Sequence, residues 1–132
     1  MQPVDVALCL AMDVSASVDF EEFALMAGGT AAALRDPAVV AAATSGPRRA
    51  AAVALLLWSG VGARDVAVGW TRLADEAGAA AIAEAVENAP RMPQPGATAL
   101  GEGMAAGLAL LGAFPGEARR HVLDVSGDGR NN

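Results

Sequence analysis

The sequence predicts an α/β fold in which helices cover both faces of one sheet, and three observations support this. Strands and helices alternate in the order β-α-α-β-β-α-α-β. The first strand, from Val4 to Asp13, is an almost continuous apolar run, which is typical of a strand buried on both faces. Gly60-Val61-Gly62 forms a turn in the short link between the second and third strands, which favours an antiparallel hairpin. With right-handed crossovers, these features predict the strand order 3-2-1-4, with the first strand central and the third antiparallel.

Local signals place the first two helices. Asp19 and Glu22 form a capping-box pattern at the start of a helix over residues 20–34. Gly28-Gly29 either interrupts this helix or marks close packing on the sheet. Asp36-Pro37 predicts the start of a short helix over residues 38–44. The residues expected near one face of the first helix are Phe20, Phe23, Ala24, Ala27 and Ala31.

The remaining elements follow from hydrophobic patterns and from glycine and proline breaks. Strands are predicted over residues 50–58, 66–70 and 121–125, and helices over residues 75–88 and 99–111. Thr98 is a candidate N-cap for the last helix. The large apolar residues that recur at helical spacing in that helix are Leu100, Met104, Leu108 and Leu111.

The composition indicates one folded domain over residues 1–132 and excludes several classes of protein. The chain is 54% hydrophobic and 18% charged, so it is not disordered. A net charge of -6 argues against a nucleic-acid binder. Cys9 is the sole cysteine and is expected to be a buried, inert thiol. The longest apolar run, residues 50–58, is too short to span a bilayer.

The sequence leaves the localisation open. No signal peptide is visible at the start of the chain, which leads directly into the first strand. We therefore expect an extracytoplasmic protein if a signal peptide was removed, and a cytoplasmic one otherwise.

Oxygen-bearing side chains cluster where the first strand ends. Asp13, Ser15 and Ser17 form a D-x-S-x-S pattern, and side chains at alternate positions of an extended segment can point the same way. In the predicted topology the first and fourth strands end at a shared crevice, which Asp128 and Thr98 also reach. One carboxylate and two hydroxyls are oxygen ligands of the kind that hard cations require.

Asp124 is an alternative to Asp128 as the acidic residue that follows the fourth strand. Asp124 falls inside an apolar run, whereas Asp128 stands in the Asp-Gly turn. An acidic side chain in that turn reaches the crevice more easily, which favours Asp128.

Asp13, Ser15, Ser17, Thr98 and Asp128 together resemble the metal-ion-dependent adhesion site of von Willebrand factor type A (vWA) domains in residue type, order and spacing. The resemblance implies a Rossmann-like, three-layer α/β/α fold and a divalent cation, usually Mg²⁺, with Mn²⁺ or Ca²⁺ as alternatives. The three hydroxyls would bind the ion directly, and the two carboxylates directly or through water. It also implies a non-catalytic protein-binding module whose protein partner offers an acidic residue to the metal.

The chain also resembles a narrower, uncharacterised bacterial vWA-like family. A vWA domain normally continues beyond the Asp-Gly turn with more helices and further strands, so the resemblance covers about the first two-thirds of that domain. The fourth strand is then expected to form an exposed sheet edge that can pair with another copy of the chain. The residues that carry the narrower resemblance are Trp58-Ser59-Gly60, Trp70-Thr71 and the segment RRHVLDVSGDGRNN over 119–132.

Two other functions remain open, and each residue also has a purely structural interpretation. The same ion could serve a metal-assisted hydrolase, although no Lys is present and the only histidine, His121, begins the fourth strand, far from Ser15. The domain could also be structural, with an empty metal site.

The D-x-S-x-S residues and Thr98 are also ordinary turn and capping residues. Trp58 and Trp70 are expected to be packing residues at strand ends.

Overall fold

The computed structural model describes residues 1–14, 19–59, 63–89 and 100–126. The order of elements is the predicted one. No helix among these residues is long and apolar enough to cross a membrane. The elements are β1 (Val4–Asp13), α1 (Phe20–Arg35), α2 (Pro37–Ala43), β2 (Ala51–Ser59), β3 (Ala63–Leu73), α3 (Glu76–Glu87), α4 (Leu100–Gly112) and β4 (Ala118–Ser126).

The four strands form one sheet in the order β3-β2-β1-β4, which confirms the predicted topology. Strand β1 lies in the interior and pairs in parallel with both β2 and β4. Strand β3 pairs antiparallel with β2, as the short connection predicted.

Helices cover both faces of the sheet, so the architecture has three layers. Alternate residues of β1 divide between two hydrophobic clusters. Leu10 and Met12 pack with α1, α2 and α3 on one face, whereas Cys9 and Ala11 pack with α4 on the other. Every residue of β2 is also buried. This double coverage explains why both strands are apolar almost throughout.

Strands β3 and β4 are longer than the sequence predicted. Both are outer strands of the described sheet, and both carry exposed charged residues such as Asp65 in β3 and Arg120 in β4. A strand that is open to solvent on one side accepts polar residues. A search for apolar runs therefore detects only part of such a strand.

Helix α1 begins at the predicted capping box. The Glu22 amide donates to Asp19 Oδ1 at 2.8 Å, and the Asp19 amide donates to Glu22 Oε1 at 3.4 Å. The helix continues through Gly28 and Gly29, and a methyl group added at either glycine would meet no atom within 4 Å. The predicted alternatives of an interruption or close packing at this pair were therefore both wrong.

The predicted buried face of α1 is correct only in part. Phe23, Ala27 and Ala31 are buried and follow one stripe at a spacing of four residues. Phe20 is 73% exposed, and Ala24 is exposed as well. The stripe is therefore narrower than the sequence indicated.

The predicted apolar stripe of α4 is buried only in part. Leu111 is buried, as are the small residues Ala106 and Gly107, but Met104 is 45% and Leu108 60% exposed. A methyl group added at Gly107 would collide with Leu123 of β4, so the helix backbone lies directly on that strand. Because Ala106 and Gly107 bring the helix backbone close to the sheet, the larger side chains of Met104 and Leu108 lie on an exposed side of the helix.

Asp5 joins three segments at the amino end of β1. It is only 8% exposed. The Arg48 amide donates to Asp5 Oδ1 at 3.2 Å, and Arg119 of β4 lies 3.9 Å from the same oxygen. A methyl group at Gly46 would lie 2.5 Å from the Asp5 carboxylate. A buried carboxylate thus fixes the turn before β2 against β1 and β4.

We predict opposite effects of two Gly→Ala substitutions. Gly46→Ala should lower the free energy of unfolding by about 1–3 kcal/mol, because the added methyl group overlaps a buried carboxylate. Gly28→Ala, in an open part of α1, should raise the free energy of unfolding by up to about 1 kcal/mol through helix propensity. Urea unfolding of both variants measures this, and a stabilising Gly46→Ala would contradict the packing at Asp5.

Cys9 is buried in β1, as predicted, and burial raises the pKa of its thiol to about 11. In the unfolded chain the thiol ionises near its ordinary pKa of about 8.5. The stabilising contribution of the neutral thiol is therefore complete below about pH 8.5 and is lost as the pH rises toward the folded value.

We expect the free energy of unfolding to fall by up to about 1.4 kcal/mol per pH unit above about pH 8.5 because of this thiol. Urea unfolding at pH 7.5 and at pH 10 measures the effect, with Cys9→Ala as the matched control. The control should lose less stability over this range than the original chain. An equal loss in both would show that Cys9 does not cause the pH dependence.

Candidate functional site

Asp13 is the predicted site residue that the structure describes, and it ends the central strand. It lies opposite Trp58 of β2, and its neighbour Met12 lies opposite Ser126 of β4. The Asp13 side chain is 0% exposed. A carboxylate with no access to bulk solvent requires hydrogen bonds or a cation to offset its desolvation.

The carboxyl ends of β1 and β4 lie side by side. The two strands are parallel and stay paired from Val4 and Ala118 to Met12 and Ser126. In open α/β sheets, ligands bind beyond the carboxyl ends of neighbouring strands where the connections diverge. Helix α1, which follows the carboxyl end of β1, lies on one face of the sheet, and α4, which precedes β4, lies on the other.

Four of the five predicted ligands lie outside the described residues: Ser15, Ser17, Thr98 and Asp128. Ser15 and Ser17 follow Asp13, Asp128 follows the last residue of β4, and Thr98 precedes the first residue of α4. Their assignment as metal ligands stays a prediction. Within the described ranges, no group of three or more His, Cys, Asp or Glu side chains is placed to hold a metal ion.

The alternative ligand Asp124 is described, and it does not lie beside Asp13. Asp124 is exposed inside β4, opposite Leu10 of β1. Leu10 faces α1–α3, whereas Asp13 alternates with Cys9 and Ala11 on the α4 face. Asp124 therefore projects from the opposite face of the sheet.

Two buried polar groups at the end of β2 were not predicted as site residues. Trp58 Nε1 and Ser59 Oγ are buried and have no hydrogen-bond partner among the described residues. Trp58 is directly opposite Asp13. A buried donor without a partner is uncommon, since it costs about 1–3 kcal/mol. The sequence signal was a polar residue and an indole at the end of an apolar strand, which we interpreted as packing alone.

Trp70 has the packing role that was predicted. Its ring lies 5.0 Å from that of Phe114 at an interplanar angle of 70°. Its indole nitrogen also donates to the Leu110 carbonyl oxygen at 3.3 Å. These contacts attach β3 to the end of α4.

His121 lies far from the end of β1. It is exposed on β4 and pairs with Ala7, so about 20 Å of strand separates it from the level of Asp13. General base catalysis needs hydrogen-bond reach or one bridging water. His121 therefore cannot act on a group held beside Asp13.

A separate cavity of about 450 Å³ lies between α2 and the sheet, at the amino ends of the parallel strands. Its walls are mainly apolar and include Val6, Leu8 and Val39, with Asp5 and Arg120 as charged members. It is at the opposite end of β1 from Asp13. The cavity and the carboxyl-end crevice are therefore different sites.

Comparison with known proteins identifies a family and a related fold. The family model described as "Protein of unknown function (DUF1194)" matches residues 3–132. No curated protein matches the chain significantly.

A solved structure has a similar fold. It contains three N-terminal domains of the type V pili tip protein Mfa5 from Porphyromonas gingivalis. The TM-score is 0.54 at 13% sequence identity, over 91% of this chain and 19% of the pili protein chain. The match thus spans about a fifth of that longer protein, and at this identity it shows the fold alone.

Proposed function

We propose that this chain, which belongs to the DUF1194 family of proteins of unknown function, is a non-catalytic protein-binding domain that uses a divalent cation at the carboxyl end of its sheet. The observation that carries the proposal is the wholly buried carboxylate of Asp13 at the end of the central strand. Its neighbour β4 ends beside it, and Asp128 follows in the chain. A cation would offset the desolvation of this carboxylate.

The proposed ligand set suits Mg²⁺. It consists of oxygen donors only, from Asp13, Ser15, Ser17, Thr98 and Asp128. Mg²⁺ prefers octahedral oxygen coordination and keeps several water molecules. This fit supports a vWA-like adhesion site.

The partner we propose is a protein that offers an Asp or Glu side chain. With neutral hydroxyls around it, the ion keeps most of its charge and can accept a carboxylate in place of one water. The chain's net charge of -6 repels an acidic partner at long range. The local field of the ion must therefore supply the attraction. A binding role agrees with the related fold being found in a pili tip protein.

Two alternative functions can be separated from this one by simple assays. A metal-assisted hydrolase would cleave ester or phosphoester substrates when Mg²⁺ or Mn²⁺ is added. A structural domain with an empty site would show no heat of metal binding in calorimetry. The proposed function requires metal binding without hydrolysis, together with capture of a partner that EDTA abolishes.

We predict that Asp13→Ala abolishes Mn²⁺ and Mg²⁺ binding while the fold is retained. The carboxylate lies at the end of β1, so its removal affects the edge of the core. Calorimetry measures the metal affinity and circular dichroism the fold. Ser59→Ala is the matched control, because it also removes a buried polar group at a strand end. Unchanged Mn²⁺ affinity in Asp13→Ala would refute the site.

We also predict that Asp128→Asn weakens Mn²⁺ binding at least tenfold, whereas Asp124→Asn leaves it unchanged. Both substitutions remove one carboxylate charge, but Asp124 projects from the opposite face of the sheet from Asp13. Titration of both variants side by side measures this difference. Equal weakening would indicate a general charge effect on the ion instead of a ligand role for Asp128.

A further inference from the structure

The cavity between α2 and the sheet contains one buried carboxylate oxygen that lacks a donor. Asp5 lines this cavity and is 8% exposed. Its Oδ1 atom accepts the Arg48 amide hydrogen bond and lies near Arg119, whereas Oδ2 has no hydrogen-bond partner among the described residues. Buried polar atoms without a partner are uncommon because they cost free energy. Oδ1 thus has a structural role, and Oδ2 is available to a ligand.

The polar groups of the turn beside the cavity have other partners. The Ser45 hydroxyl donates to the Ala42 carbonyl oxygen at 2.8 Å. Position 46 carries no side chain, and a Cβ there would lie 2.5 Å from the Asp5 carboxylate. The turn therefore offers no side-chain donor to Oδ2. A donor from the cavity itself would satisfy this oxygen.

A second charged group lines the same cavity. Arg120 of β4 is exposed, and it forms no ion pair or hydrogen bond with another residue of the described ranges. The ion-pair partner of Asp5 is the neighbouring residue, Arg119. Asp5 and Arg120 are thus opposite charges on the wall of one cavity that do not contact each other directly.

Most of the remaining wall is aliphatic. Strand β1 contributes Val6 and Leu8, and α2 contributes Val39. The volume of about 450 Å³ is typical of small-molecule sites. Such sites combine apolar walls with a few polar groups that orient the ligand. The size and the lining therefore suit an apolar molecule with a compact polar head.

We propose that this cavity binds a small zwitterion, namely a free α-amino acid with an apolar side chain. The ammonium group of the ligand donates to Asp5 Oδ2, and the Arg120 guanidinium donates to the carboxylate of the ligand. The side chain of the ligand lies against the aliphatic wall and leaves water. This site is at the opposite end of β1 from Asp13, so it does not depend on the proposed cation.

The charges on the wall favour a zwitterion over a simple amine or acid. An amine matches Asp5 but leaves Arg120 without a partner and close to a like charge. An acid matches Arg120 but brings a second carboxylate toward Asp5, and like charges at such distances repel. The side chain of Arg119 is 55% exposed, so solvent screens its charge. One charge of each sign in the ligand therefore gives the best match.

Titration with L-leucine tests the site, with the amide NMR shifts of the isotope-labelled chain as the readout. We expect saturable shifts at Gly46 and Val39, with a Kd of about 1 mM or tighter for a ligand of this size. The matched controls are 3-methylbutylamine, which is leucine without its carboxylate, and 4-methylpentanoate, which lacks the ammonium group. Each should bind about tenfold more weakly or worse. Equal binding of all three would overturn the zwitterion, and no shift at Gly46 or Val39 up to about 10 mM L-leucine would overturn the site.

Removal of the guanidinium tests the role of Arg120. Arg120 is exposed, so Arg120→Gln should keep the fold but weaken L-leucine binding about tenfold or more. Binding of 3-methylbutylamine should not weaken, because that probe has no carboxylate. Arg49→Gln is the matched control, since Arg49 is also exposed but does not line the cavity. Equal effects of the two substitutions on L-leucine would show a general charge effect and overturn the role of Arg120.

A larger side chain in the wall tests the location. Val39→Trp should fill the cavity and abolish the shifts caused by L-leucine. Ala41→Trp, at an exposed position of the same helix outside the cavity wall, should leave them unchanged. Unchanged affinity in Val39→Trp would overturn the site. Addition of EDTA and the Asp13→Ala substitution should both leave L-leucine binding intact, so failure of the proposed metal site and failure of this one are distinguishable.

Discussion

The burial of β1 on both faces and along both edges is the constraint on which the structure depends. It pairs with β2 and β4 and is covered by helices on each side. Its interior can therefore hold only apolar side chains without a large desolvation penalty. The two acidic residues of the strand, Asp5 and Asp13, lie near its ends. Polar chemistry in this fold is thus confined to the two ends of the sheet.

Each end of β1 carries a buried acidic residue. At the amino end, the Arg48 amide and the Arg119 guanidinium contact Asp5, which holds the turn before β2 against β1 and β4. At the carboxyl end, Asp13 is wholly buried and pairs with Trp58 of β2. We assign recognition to the carboxyl end because ligands of open α/β sheets bind beyond the carboxyl ends of the strands.

The sequence predicted the fold well because its strongest signals come from the buried strands. The runs around Leu10 in β1 and Leu55 in β2 are apolar for a physical reason, and the short connection to β3 permits only an antiparallel neighbour. Outer strands and small-residue packing are harder to detect. Arg120 concealed the start of β4, and Gly107 carries a helix–strand contact that a hydrophobic stripe does not indicate.

The sequence predicted less of the candidate site than of the fold, because the site depends on residues from separate segments of the chain. For Asp13 the structure confirms the predicted position at the end of the central strand. The other four ligands fall outside the described residues, so their convergence stays a prediction. The structure does place Asp124 on the opposite face of the sheet from Asp13. Sequence spacing alone could not establish this, because the face on which Asp124 lies depends on how β4 pairs with β1.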